Sequence, residues 1–123
     1  MPAATILIVE DEPLILQFVE EMLRSAGYDT LAAAGWDAAV AALEGGTAID
    51  LLFTDVWLDR NSGFELAERA RAMHPGVHVI YATGYIPKDM MARHHAGAPD
   101  GVLLTKPYRP AELMAEIARM LAG

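Results

Sequence analysis

Cysteine is absent from the chain. That excludes disulfides, thiolate metal sites and cysteine nucleophiles together. Positive charge is scarce: nine Lys and Arg stand against seventeen Asp and Glu, for a formal net charge of -8. Nucleic-acid binding rests on clustered Lys and Arg that displace counterions. The chain has no basic stripe, so no nucleic-acid partner is expected. No apolar run approaches the roughly 20 residues that cross a bilayer. The start, Met1 to Thr5, lacks the basic residues and long apolar stretch of a secretory signal. No membrane partner is therefore expected, and a cytoplasmic location is the default. Repeats, low-complexity tracts and linkers are missing too. What is present is 54% apolar residues in 123 positions, enough for one domain over 1–123 with a well-buried core.

Short apolar runs alternate with amphipathic segments. Strands are expected at 5–9, 28–33, 50–54, 77–82 and 102–105, and helices at 13–26, 36–44, 64–74, 87–95 and 110–121. Three of the strands are apolar nearly throughout, as in a parallel sheet covered on both faces. Pro13 suits the first turn of a helix, where its missing N–H costs nothing. Gly27, Gly45-Gly46 and His74-Pro75-Gly76 stand where helices should stop. Five βα units of this size give an α/β, doubly wound domain. In the first helix Ile15, Phe18, Val19, Met22, Leu23 and Ala26 keep helical spacing and are expected to face the sheet. Leu16 falls on another face with Glu12 and Glu20. It is a candidate knob for docking a partner.

The strand ends carry the chemistry. Glu10-Asp11-Glu12 follows Ile6-Leu7-Ile8-Val9, and Asp55 follows Leu51-Leu52-Phe53-Thr54. A polar, Gly-containing loop runs from Val56 to Gly63. Two further strands end in Thr83 and in Lys106-Pro107. Taken singly, each has a bland explanation, such as a helix start at Asp11 that complements the helix dipole. Jointly they do not, because the C-terminal strand ends of an open parallel sheet lie on the edge where ligands bind. Clustered carboxylates disfavour one another's ionisation. A hard divalent cation such as Mg²⁺ relieves this and bridges to a phosphoryl oxygen. Lys106 offers a point charge and Thr83 a hydroxyl to the other oxygens. Asp55 is left as an aspartyl nucleophile.

The set Ile6-Leu7-Ile8-Val9-Glu10-Asp11-Glu12, Asp55 with Gly63, Ala82-Thr83-Gly84 and Lys106-Pro107 resembles the receiver domains of two-component response regulators, over almost the whole chain. The resemblance implies a flavodoxin-like five-stranded sheet of order 2-1-3-4-5 with five helices. It implies a phosphorelay module of single-domain type whose Asp55 takes a phosphoryl group from a histidine kinase or histidine phosphotransfer protein. Mg²⁺ would be bound by Asp11 and Asp55, by the Trp57 carbonyl, and by Glu10 through water. Thr83 and Lys106 would contact the phosphoryl group, and the Lys106–Pro107 peptide would be cis. The output would be an unidentified downstream protein. The usual output surface would include Met90, Met91 and Tyr108.

Four features depart from the family pattern. Leu58-Asp59 replaces a common Met-Pro, and Leu103 replaces a common aromatic switch residue. Tyr81 is expected to pack rather than to substitute for it. Trp57 and Tyr85 place bulky aromatics beside the phosphoryl position, which implies a long-lived phospho-Asp55. The four histidines carry no metal pattern and are expected to be exposed and structural. A phosphorylation-independent adaptor is the alternative that Leu103 and the missing proline motivate. A Mg²⁺ phosphohydrolase fits less well, because a second aspartate should follow its nucleophile two residues on. A flavin binder fits least, because Glu10-Asp11-Glu12 repels phosphate. The expectation is a phosphoacceptor module that catalyses only its own phosphoryl transfer and loss.

Overall fold

The computed structural model describes residues 3–58, 61–84 and 101–122. Its elements are β1 (Thr5–Val9), α1 (Pro13–Ser25), β2 (Asp29–Ala33), α2 (Trp36–Glu44), β3 (Leu51–Asp55), β4 (Trp57–Leu58), β5 (Asn61–Ser62), α3 (Gly63–Met73), β6 (His78–Thr83), β7 (Gly101–Thr105) and α4 (Pro110–Ala122). The five longer strands pair in parallel in the order β2-β1-β3-β6-β7, which is 2-1-3-4-5 counted over those strands. The helix expected at 87–95, with His94, His95, Met90 and Met91, lies outside the described residues, as do Asp59 and Tyr85.

Strand alternation splits the core into two layers. Ile6, Ile8, Leu51, Phe53 and Ile80 face α1 and α4, against Val19, Leu23, Leu113 and Ile117. Leu7, Leu52, Val56, Val79 and Tyr81 face α2 and α3, against Ala39, Leu43, Leu66 and Ala70. Each Leu or Ile fully buried here contributes about 1.5–3 kcal/mol relative to exposure. Tyr81 does pack: it is fully buried, with its ring 4.7 Å from that of Phe64 in an edge-to-face pair. Leu103 is half-buried against the same layer.

Three expectations require correction. Phe18 does not face the sheet and is 55% exposed, whereas Leu16 is half-buried against the core. The buried line of α1 is Val19 and Leu23. At 3.6 residues per turn Phe18 stands roughly 100° from Val19, at the edge of that stripe, while Leu16 falls inside it. Ala26 would lie on the stripe, but it is the C-cap and is exposed. The loop expected from Val56 to Gly63 holds an antiparallel pair, Trp57↔Ser62 and Leu58↔Asn61, with Val56 and Leu58 buried. Finally, His74 is half-buried and bridges segments. Its Nδ1 accepts the Ile49 N–H at 3.3 Å, which leaves the Nε2 proton to be donated to the Leu43 carbonyl at 2.9 Å.

The start of α3 matters for the site. Ser62 is its N-cap: the hydroxyl accepts the Glu65 N–H at 3.2 Å, and the Glu65 carboxylate accepts the Ser62 N–H at 3.3 Å. This reciprocal pair fixes where the helix begins. Gly63 follows it, donating its N–H to the Val56 carbonyl at 2.7 Å. A Cβ on Gly63 would collide with the Asp55 carbonyl oxygen and lie 3.1 Å from Thr54 Cγ2. Gly63 is therefore required for space, so that α3 can close directly onto the end of β3.

Candidate functional site

Strand register builds the site. Val9 pairs with Thr54, Asp55 with Ala82, and Thr83 with Thr105. The residues that follow or end these strands, Glu10, Asp55, Thr83 and Lys106, therefore emerge along one edge of the sheet. Carboxylate oxygens of Glu10, Asp11 and Asp55 lie within 4.8 Å of one another. Lys106 reaches across from the far strand. Its Nζ is 3.1 Å from Asp55 Oδ2 and 3.3 Å from Glu10 Oε2. The side chains of Glu10 and Asp55 are only 8% and 12% exposed, and that of Lys106 27%.

This crowding shows in the titration of the groups. Burial raises the Glu10 carboxyl above its ordinary value and Asp11 adds to the shift; the Glu12 N–H and Lys106 oppose it. Burial works against the Lys106 ammonium. The hydrogen bonds and charges of Asp55 and Glu10 outweigh it, so the lysine is held above its ordinary value and stays charged. One ammonium faces three carboxylic groups. The arrangement suits a further cation with a preference for oxygen, since every carboxylate donor is hard.

Of the other sequence candidates, Thr83 ends β6, is buried, and accepts the Lys106 N–H on its carbonyl at 2.8 Å. Trp57 lies in β4 beside the site and is 43% exposed. Lys106–Pro107 is a cis peptide. Tyr108 follows it, half-buried, with its ring 5.9 Å from that of Phe53 and nearly perpendicular to it. Tyr108 thus belongs to the α1 side of the fold.

Two concavities flank the carboxylates. One, of about 610 Å³, runs from Asp11 past Trp36 and Asp37 to Leu58 and Asn61. The other, of about 520 Å³, is a mainly apolar groove between α1 and the β7–α4 connection, lined by Leu14, Phe18, Pro107, Tyr108 and Pro110 and reaching Lys106. Leu14 is 81% exposed. Of the α1 residues beside the site, the exposed apolar ones are therefore Leu14 and Phe18, not Leu16.

Sequence reasoning missed Thr54 and assigned Gly63 no physical task. Thr54 reads as the last member of an apolar run, but its buried hydroxyl donates to the Asp55 carbonyl at 2.9 Å. The signal for Gly63 was its place after Ser62 in a Ser-x-x-Glu capping pattern.

The family model for the response regulator receiver domain matches residues 6–118. The receiver protein CpdR of Brucella abortus is 30% identical, over 94% of this chain and 95% of its own length. The transcriptional regulatory protein YvrH of Bacillus subtilis is 31% identical over 95% of the chain, which spans only 48% of YvrH. About half of several matched regulators, and 87% of the Brucella abortus sensor kinase CckA, thus lies beyond the aligned stretch. A crystal structure of a response regulator receiver protein from Sinorhizobium medicae superposes with a TM-score of 0.87 at 30% identity, over 98% of this chain and 96% of that one.

Proposed function

The chain belongs to the response regulator receiver domain family, and from that premise we propose that Asp55 accepts a phosphoryl group from a phosphohistidine of a histidine kinase or histidine phosphotransfer protein. The observation that carries this reading is Lys106 ion-paired to Asp55 beside two further carboxylic groups. A carboxylate oxygen of Asp55 attacks phosphorus, a P–O bond forms as the donor's N–P bond breaks, and the imidazole nitrogen keeps the electron pair. Lys106 and the Thr83 hydroxyl receive the phosphoryl oxygens. Glu10, Asp11 and Asp55, with the Trp57 carbonyl, would hold Mg²⁺, whose contribution when bound is to offset phosphoryl charge. Trp57, two residues after Asp55, would hinder the approach of water, which favours a persistent phospho-Asp55. The module signals through protein contacts and catalyses only its own phosphoryl transfer and loss.

The donor's seat is the apolar groove. Lys106 both lines that groove and touches Asp55. A histidine-bearing helix laid over Leu14 and Phe18 therefore brings its imidazole to the carboxylate. Helix-in-groove docking of this kind needs few anchors.

The test is an intact-mass time course with Mg²⁺ and acetyl phosphate. A single phosphoryl adduct, absent in Asp55→Asn, is expected; Trp57→Ala should shorten its life. Failure of the wild type to form an adduct with this donor or with a phosphohistidine protein would point instead to a phosphorylation-independent adaptor. Multiple turnover of small phosphate esters would mark a hydrolase.

A further inference from the structure

We propose that Thr54 is a positioning residue for phosphoryl transfer to Asp55, its hydroxyl fixing the peptide plane that follows the phosphoacceptor; the inference rests on Asp55 having that role.

Thr54 points into the apolar layer under α2 and α3, between Leu52 and Val56, and is 1% exposed. Valine has nearly the same shape and brings no hydroxyl to desolvate. A buried hydroxyl is tolerated where it has a partner. Here the partner is the carbonyl of the next residue, Asp55, at 2.9 Å. That carbonyl belongs to the Asp55–Val56 peptide, whose N–H is bonded to the Ala82 carbonyl at 3.1 Å. The plane is thus held at both ends, by a side chain of β3 and by the main chain of β6. Fixing the plane fixes ψ of Asp55, and with it the direction in which the carboxylate leaves the backbone.

Gly63 is the second, independent observation. The Asp55 carbonyl occupies the space that a Cβ at position 63 would take, and the Thr54 methyl closes the other side of that space. The first turn of α3 is pinned there by the Ser62–Glu65 capping pair and by the Gly63 N–H on the Val56 carbonyl. The carbonyl is therefore boxed by Thr54 and Gly63, and small rotations of the plane meet both. Lys106, at 3.1 Å from the Asp55 carboxylate, senses the result. In-line transfer is sensitive to misplacements of this order.

The experiment compares adduct formation from acetyl phosphate with saturating Mg²⁺ for wild type, Thr54→Ser and Thr54→Val, across donor concentrations. Thr54→Val keeps the shape and should fold. It is expected to lower the maximal rate on the order of tenfold, with the half-saturating donor concentration unchanged. Thr54→Ser keeps the hydroxyl and should stay within about twofold of wild type. In the unphosphorylated proteins, amide exchange at Val56 should quicken in Thr54→Val and not in Thr54→Ser. A Thr54→Val protein as fast as wild type, or a Thr54→Ser protein as slow as Thr54→Val, overturns the proposal. The absence of an adduct in wild type overturns the phosphoacceptor role itself, and so the two failures are separable.

Discussion

Replacing Lys106 by methionine removes the only cation seen against the carboxylates among the described residues. At the observed separations of 3.1 and 3.3 Å, each lysine–carboxylate attraction is worth about 5 kcal/mol at an effective dielectric constant of about 20. Most of that is cancelled, because the lysine recovers its hydration when freed and is already 27% exposed. A net loss of about 2 kcal/mol is expected for the metal-free protein, or about 6 °C in Tm for a domain of this size. The sign of the metal response is the sharper part. In the wild type Mg²⁺ must share Asp55 and Glu10 with the ammonium. In Lys106→Met it finds the carboxylates unneutralised. Added Mg²⁺ should therefore raise Tm more in the variant than in the wild type, since a ligand that binds the folded state stabilises it more the tighter it binds, as the logarithm of its affinity. The assay is thermal unfolding by circular dichroism with EDTA and with millimolar Mg²⁺, at low salt. An equal or smaller Mg²⁺ response in Lys106→Met would refute the competition, and an unchanged Tm in EDTA would refute the electrostatic account of the site.

Two further outcomes can be measured. Phe18→Asp places a charge in the groove beside α1 and should slow transfer from a phosphohistidine protein by about a hundredfold, the scale of losing a docking anchor. Labelling by acetyl phosphate should be unaffected, so equal losses with both donors would place Phe18 in the chemistry rather than in docking. Burial raises the Tyr81 phenol above its ordinary 10.0, with Arg71 beside it pulling the other way. The unfolded chain thus ionises first. The stability tied to this phenol is intact below pH 10.0 and is lost as pH rises through the folded pKa. Tyr81→Phe should flatten the fall in urea midpoint between pH 9 and 11, and a fall as steep as in wild type would discount this phenol.

Much of the fold was legible because burial imposes short-range patterns. Continuous apolar runs such as Ile6 to Val9 have few roles outside a two-sided parallel strand, and Pro13 and the glycines punctuate helices by steric rules. The strand ends could be placed on one edge because parallel strands share polarity. What stayed hidden depends on angle and on closeness. Phe18 and Leu16 stand on opposite flanks of the Val19–Leu23 line, and where both flanks of a helix are apolar the spacing alone does not say which one the sheet covers. The Trp57–Leu58 and Asn61–Ser62 pairing is too short to show alternation. Thr54 passed as an apolar strand residue because its hydroxyl is spent on its own main chain. His74 passed as an exposed residue because its partners, Leu43 and Ile49, are distant in sequence.

The ion pair between Lys106 and Glu10 joins positions 96 residues apart in the chain. Contacts of such separation carry the full entropy of loop closure, and they form only when the intervening strands are in register. A nascent or proteolysed chain that lacks β7 can still contain Glu10, Asp11 and Asp55. In it the three carboxylic groups lack Lys106. The charge pattern at this edge of the sheet is therefore complete only once β7 has paired with β6 and carried Lys106 to the carboxylates.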